Sequence, residues 1–204
     1  LSSGMINVNV NGILIVGNNA TLQATGTRQA IYVDKGTAYI NDRATITASS
    51  TVRAAVHSKT SGSKTYITGG TISSTGAYAV YNEVGEMEIG TKDGTVDTTK
   101  PTITGKTYGV IAFTNYKFYD GIIKGKTAAI GNVTAVGNNS PTITADTDGT
   151  KISEIETNTE KTFETVGEYK TLYLKEVVPT TQYLITLDPT PGTVTGDTTI
   201  MVDI

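Results

Sequence analysis

The sequence predicts an all-β chain wound as a parallel β-helix, a solenoid of about six coils closed by a C-terminal β cap or hairpin. Three observations predict it. A short phrase returns as Ala30-Ile31-Tyr32-Val33, Ala55-Val56-His57-Ser58, Ala79-Val80-Tyr81-Asn82, Gly109-Val110-Ile111-Ala112 and Ala129-Ile130-Gly131-Asn132. A second phrase follows each of the first four: Ala44-Thr45-Ile46-Thr47, Gly70-Thr71-Ile72-Ser73, Gly94-Thr95-Val96-Asp97 and Gly121-Ile122-Ile123-Lys124. The composition, with 39 threonines and 22 glycines, suits short strands and tight turns. Repeats at a near-fixed period bury their apolar sides by stacking on their neighbours.

The intervals set the coil length. From Ile31 through Val56, Val80 and Val110 to Ile130, the steps are 25, 24, 30 and 20 residues. From Leu22 through Ile46, Ile72 and Val96 to Ile123, they are 24, 26, 24 and 27. Both rulers average near 25, and their excursions fall in different places, as insertions at corners would produce. Three short strands per coil fit that length, each paired in parallel with its copies about 4.8 Å above and below.

The elements follow in chain order. Met5 to Val16 alternates at Ile6, Val8 and Val10, and forms the first coil or a cap. One central coil is expected to place strands at Val80–Glu83, Glu86–Gly90 and Thr95–Thr99. Its inward residues are Val80, Met87, Ile89 and Val96, with Glu83, Glu86, Glu88, Asp93 and Asp97 facing water. Neighbouring coils repeat the inward set as Val56, Tyr66 or Ile67, and Ile72, and again as Val110, Phe118 and Ile123. The register fades near residue 145; Lys151–Ile155, Lys161–Val166 and Lys170–Lys175 then read as charged strands of a terminal coil and cap. Residues 1–178 therefore form the capped solenoid. Pro179 breaks the pattern, and 179–204 read as a β-hairpin or the truncated start of an immunoglobulin-like module. Its strands are Tyr183-Leu184-Ile185-Thr186-Leu187 and Thr198-Thr199-Ile200-Met201-Val202, joined through Asp188-Pro189-Thr190-Pro191-Gly192 and Gly196-Asp197.

Composition excludes several function classes. The net charge of −3 and the absence of a basic stripe argue against nucleic acid as a partner. Without cysteine there are no disulfides, thiolate chemistry or cysteine zinc sites. No run of about 18 apolar residues is present to span a membrane. The opening Leu1-Ser2-Ser3-Gly4 reads as a trimmed or mature fragment, which would place any signal peptide outside it.

Three stretches together resemble a known group of proteins: Thr68-Gly69-Gly70-Thr71-Ile72-Ser73-Ser74, Tyr78-Ala79-Val80-Tyr81-Asn82, and Phe118-Tyr119-Asp120-Gly121-Ile122-Ile123-Lys124-Gly125-Lys126-Thr127. The chain resembles modules in large surface proteins of gut Firmicutes and related bacteria. Those modules are similar to right-handed parallel β-helices of the pectate-lyase-like type. The resemblance spans residues 30–175 and implies a right-handed helix in an extracellular, cell-wall-associated or secreted adhesin or stalk. The tail from Tyr183 resembles the opening of a bacterial immunoglobulin-like repeat.

Catalytic signals are sparse. Glycoside hydrolysis needs two carboxyls about 5–9.5 Å apart, and stacked coils could supply them. Asp42 and Asp120 precede the second phrase in their coils, but Gly69 and the stretch Thr91 to Asp93 occupy the coils between. The reading therefore favours Asp120 as a turn residue that satisfies backbone amides. His57, the only histidine, follows Val56, so alternation turns it outward as a surface residue without a nearby acid or serine. Asp146-Thr147-Asp148-Gly149 opens like a calcium loop, which makes Asp146 and Asp148 the metal candidates. Position 12 of that loop is Thr157 rather than a glutamate, so no metal and no cofactor is assigned.

Tyrosines suggest a binding face. Tyr32, His57, Tyr81 and Ile111 occupy matching places, with Tyr116 and Tyr119 close in sequence, so Tyr32, His57, Tyr81, Tyr116 and Tyr119 are the candidate ligand face. Cross-strand packing is the alternative role for the same rings. Thr-x-Thr recurs at Thr45, Thr102 and Thr142, in copies that the repeat spacing puts in different parts of the coil. That spacing argues against a regular ice-binding threonine array. The leading functional reading is a non-catalytic structural and adhesive module that presents a rigid face to a glycan or surface protein. The alternatives are a polysaccharide lyase or glycoside hydrolase using Asp120 or Asp42, and a phage tail fibre or receptor-binding segment.

Overall fold

A strand of four residues cannot bury its two inward side chains alone, and this chain solves that by laying each strand on the last. The structure, a computed structural model, describes residues 4–51, 53–98, 100–134 and 142–178, with the backbone of strands at 182–186 and 199–203. The chain runs β1 (Gly4–Val8), β2 (Ile13–Val16) and β3 (Thr21–Ala24), then β4 (Gln29–Val33), β5 (Thr37–Ile40) and β6 (Thr45–Ala48). It continues through β7 (Val56–Ser58), β8 (Lys64–Ile67), β9 (Thr71–Ser74), β10 (Val80–Asn82), β11 (Glu86–Ile89) and β12 (Thr102–Gly105). Next come β13 (Tyr108–Ala112), β14 (Tyr116–Phe118), β15 (Ile122–Gly125) and β16 (Ala128–Thr134). Last are β17 (Thr142–Ala145), β18 (Ile152–Ile155), β19 (Thr159–Val166), β20 (Tyr169–Glu176), β21 (Gln182–Thr186) and β22 (Thr199–Asp203).

Successive strands pass in rotation through three mostly parallel sheets. The first stacks β1-β4-β7-β10-β13-β16-β17, the second β2-β5-β8-β11-β14-β18, and the third β3-β6-β9-β12-β15-β20-β19. No helix occurs among the described residues, and so none is long and apolar enough to cross a membrane. This is an all-β solenoid. β17 joins the first sheet antiparallel to β16, and the β19–β20 hairpin joins the third antiparallel to β15. The two strands β21 and β22 pair antiparallel. Their connecting turn, expected at Asp188–Gly192 and Gly196-Asp197, lies outside the described residues.

The register puts like residues over like. In the first sheet Ile6, Ile31, Val56, Val80, Val110 and Ile130 form one inward column. Val16, Ile40, Ile67, Ile89, Phe118 and Ile155 form that of the second. Leu22, Ile46, Ile72, Ile103, Ile123 and Leu172 form that of the third. The columns meet in one hydrophobic core, with Phe118, Ile67, Ile72 and Ile103 fully buried. Of the pair Tyr66 and Ile67, Ile67 is the inward one.

One expected strand is absent. Val96 and its phrase do not occupy the third sheet; β12 does, and Ile103 takes the place expected for Val96. The cause is local. The Asp93 carboxylate accepts from both the amide (2.9 Å) and the hydroxyl (2.7 Å) of Thr95, and Gly94 adopts φ +81°. These contacts bend the phrase into a turn. Val96 is left half-buried against the core rim. The insertion lies at a corner, which accounts for the 30-residue step from Val80 to Val110.

Tight corners demand small residues. A Cβ on Gly105, the last residue of β12, would lie 1.7 Å from the Tyr108 carbonyl oxygen. The column Ala30, Ala55, Ala79, Gly109 and Ala129 is small and buried where the chain enters the first sheet.

Candidate functional site

The first sheet carries the expected aromatic column on its outer side: Asn7, Tyr32, His57, Tyr81, Ile111 and Gly131 stand on successive rungs. His57 stacks on Tyr81 at 4.7 Å between centroids and meets Tyr32 edge-on at 5.3 Å. Covered by both rings, His57 is 6% exposed and Tyr32 is 8% exposed. His57 is therefore not the surface residue that alternation implied. It faces outward, but its neighbours close over it. Packing of rings across strands uses the faces that a sugar would need.

Polar partners fix the imidazole. Its Nε2 lies 3.1 Å from Glu83 Oε2, and its Nδ1 lies 3.2 Å from Gln29 Nε2. Glu83 pairs with Lys59 and accepts from Nε2–H, so in the neutral imidazole Nδ1 accepts from the Gln29 side-chain amide. Burial dominates and depresses the His57 pKa to about 4, against the opposing pull of Glu83. Gln29 Oε1 is buried without a partner among the described residues. The spacing rule could have found Glu83. It lies 26 residues beyond His57, one coil length on, although nothing beside His57 in sequence announces it.

The other two tyrosines of the expected face are elsewhere. Tyr116 points inward, is 2% exposed and belongs to the core; desolvation raises the pKa of its unpartnered hydroxyl. Tyr119 is 3% exposed at a corner, beneath Lys92, whose Nζ lies 5.7 Å from the ring centre. Neither can serve as an open platform. The predicted five-residue face thus reduces to the Tyr32–His57–Tyr81 stack.

The carboxylate candidates lie at turns. Asp120 Oδ1 accepts from the amides of Asp97 (2.7 Å) and Gly121 (2.6 Å). Burial, helped by the charges of Asp97 and Asp93, raises its pKa to about 6 despite those two hydrogen bonds. Asp42 is exposed and lies 3.5 Å from Lys100 Nζ. Asp146 is buried and binds its own loop, accepting from the Asp148 amide (3.2 Å) and the Thr150 hydroxyl (3.1 Å). Burial pushes its pKa up, but these donors outweigh it and hold the group below the ordinary range. Asp148 is exposed. Among the described residues no group of three or more His, Cys, Asp or Glu side chains is arranged to hold a metal.

The third sheet shows what the repeat spacing concealed. Thr21, Thr45, Thr71 and Thr102 form one outward column, and Thr47, Ser73 and Thr104 form the next. Two of the three Thr-x-Thr copies therefore do stack; only Thr142 and Thr144, on β17, stand apart. Where this hydroxyl ladder reaches the corner, a groove of about 330 Å³ opens, lined by Ser73, Thr104, Lys106, Lys126 and Tyr169 among others. Lys126 bonds Glu168 at 2.8 Å and lies 5.8 Å from the centre of the Tyr169 ring. Lys106 is exposed and has no ion pair among the described residues. Sequence reading missed this set because its members come from strands and corners of three different coils and the cap.

Comparison with known protein families, with curated proteins and with solved structures finds no match to this chain.

Proposed function

We propose that this chain is a non-catalytic structural and adhesive module of a bacterial surface or secreted protein, a right-handed β-helix of about six coils that presents its third sheet to a glycan. One observation supports the glycan reading most: a groove lined by Ser73, Thr104, Lys106, Lys126 and Tyr169. Hydroxyls exchange hydrogen bonds with sugar hydroxyls, and an aromatic ring packs against the apolar face of a pyranose. Lys106, which has no ion pair among the described residues, would add attraction for an acidic or sulfated substituent, whereas Lys126 is already paired with Glu168. A stacked ladder holds these groups without ordering a loop on binding, which lowers the entropic cost. The extracellular or wall-associated setting belongs to this proposal. It rests on the resemblance to Firmicutes surface modules.

A glycan array probed with the intact chain tests the reading. A retained glycan should bind at least about tenfold more weakly to Lys106→Ala or Tyr169→Ala. Retention of no glycan, or binding indifferent to both substitutions, would sink it.

Asp120 keeps a second reading open. A carboxyl whose pKa is raised to about 6 has the character of a general acid. If the chain is a lyase or hydrolase, products from a polysaccharide panel should vanish in Asp120→Asn. Products that persist in that variant count against Asp120, and turnover in neither protein removes the enzyme reading.

A further inference from the structure

Charge is sorted by face in the stack. All eight acids of residues 1–134 stand on the second sheet or at the corners on either side of it. Lysines stand there too, and Lys59, Lys64, Lys92, Lys100 and Lys117 each pair with a carboxylate. The rest of the perimeter differs. Residues 21–33, 45–58, 71–82, 102–112 and 122–134 run from the third sheet through its corner into the first, and they contain no acid. They carry Arg28, Arg53, Lys106, Lys124 and Lys126.

Stacking lines four of these cations up. Arg28, Arg53, Lys106 and Lys126 belong to the corners 25–28, 49–55, 106–107 and 126–127, and the intervening corner 75–79 supplies Thr75 and Tyr78. Backbone bonds lay the corners on one another: the Thr75 amide donates to the Ala48 carbonyl (3.0 Å), Thr107 to Ala77 (2.8 Å) and Thr127 to Thr107 (2.9 Å). With rungs about 4.8 Å apart, the stripe runs about 19 Å along the solenoid axis. Each cation has a hydroxyl in its own corner, from Thr27, Ser49, Thr107 and Thr127 in turn. No basic run marks the stripe in the sequence, because it takes at most one member per corner. Arg28, Lys106 and Lys124 have no ion pair among the described residues, and Glu168, paired with Lys126, marks the far end.

We infer that this stacked corner binds a linear sulfated polysaccharide laid along the solenoid axis. The inference rests on the glycan reading above and gives it a substrate class, since the groove at Lys106, Lys126 and Tyr169 is the far end of the stripe. A line of cations without carboxylates attracts a polyanion and presents nothing that repels it. The free oxygens of a sulfate ester can accept from a cation and from the hydroxyl beside it. Tyr78 and Tyr169, both half-buried, offer ring surface to the sugars between sulfates. Nucleic acid is the other polyanion of this length, and the net charge of −3 and the single cation per corner oppose it.

Titration calorimetry on the 204-residue chain tests this, with dextran sulfate as the probe and unsulfated dextran, polygalacturonate and single-stranded DNA beside it. Dextran sulfate should bind at least about tenfold more tightly than the other three. Its binding should weaken as salt rises from about 0.05 to 0.2 M. Arg28→Ala/Lys106→Ala changes only exposed side chains and should weaken it at least about tenfold. Lys64→Ala/Lys100→Ala removes the same charge from the second sheet and its corner, and should leave it within about twofold. Equal effects of the two pairs, or equal binding of polygalacturonate or DNA, overturn the inference. So does a failure to bind dextran sulfate. A neutral glycan then retained through Tyr169 leaves the glycan reading standing, whereas retention of no glycan removes both.

Discussion

His57 is held neutral by the rings of Tyr32 and Tyr81 and by the loss of water around it. Its pKa is depressed from 6.5 in the unfolded chain to about 4 in the folded one. Between those values the unfolded chain binds a proton that the native chain refuses. This group's contribution is therefore complete above about pH 6.5 and is lost as the pH falls towards 4, by roughly 3 kcal/mol in all. Asp120 has the opposite sign. Its pKa is raised to about 6, so its native form binds the extra proton between 3.8 and 6, and its contribution falls as pH rises through that window. Urea unfolding followed from about pH 4 to pH 7 should show His57→Gln losing the acid-side destabilisation. Asp120→Asn should make the remaining slope with pH steeper. Equal slopes in parent and His57→Gln would refute the buried neutral ring. Alternation was enough to turn His57 outward, but not to reveal that flanking rungs would cover it. Burial on a ladder is set by residues 24 and 25 positions away, which no local pattern contains.

At the scale of the strand, the third sheet distinguishes a repeated phrase from a repeated position. Gly94-Thr95-Val96 matches Gly70-Thr71-Ile72 in wording, yet Ile103 holds the rung above Ile72. Ile103→Ala should cost about 2–5 kcal/mol, as buried aliphatic truncations do, and Val96→Ala less than about half as much. Comparable losses at both sites would return Val96 to the ladder. Gly105→Ala should also destabilise, by more than about 2 kcal/mol, since its Cβ would meet the Tyr108 carbonyl oxygen. The inward columns of Val, Ile and Phe were legible because apolar alternation at a fixed interval has few other solutions. The turn at Asp93–Thr95 was not, because the Asp93 side chain competes with the strand for the Thr95 amide. The antiparallel closure by β17 and β20 was likewise hidden, since strand residues read alike in either direction.

For the whole molecule, stability follows from stacking. Each coil is stabilised by the coils beside it. The groove beside Tyr169 exists only because distant turns coincide, which is why the ladder was readable and the groove was not. The groove depends on the registered ladder, and the absence of native cysteine gives a direct test of it. Thr71 and Thr102 are paired neighbours in the third sheet, 31 residues apart in sequence. Neighbouring strands lie about 4.8 Å apart, within the span of a disulfide. The account predicts that Thr71→Cys/Thr102→Cys closes an intramolecular disulfide on mild oxidation, readable by mass spectrometry after proteolysis, while Thr71→Cys/Thr95→Cys does not. A linked 71–95 pair with an unlinked 71–102 pair would contradict it.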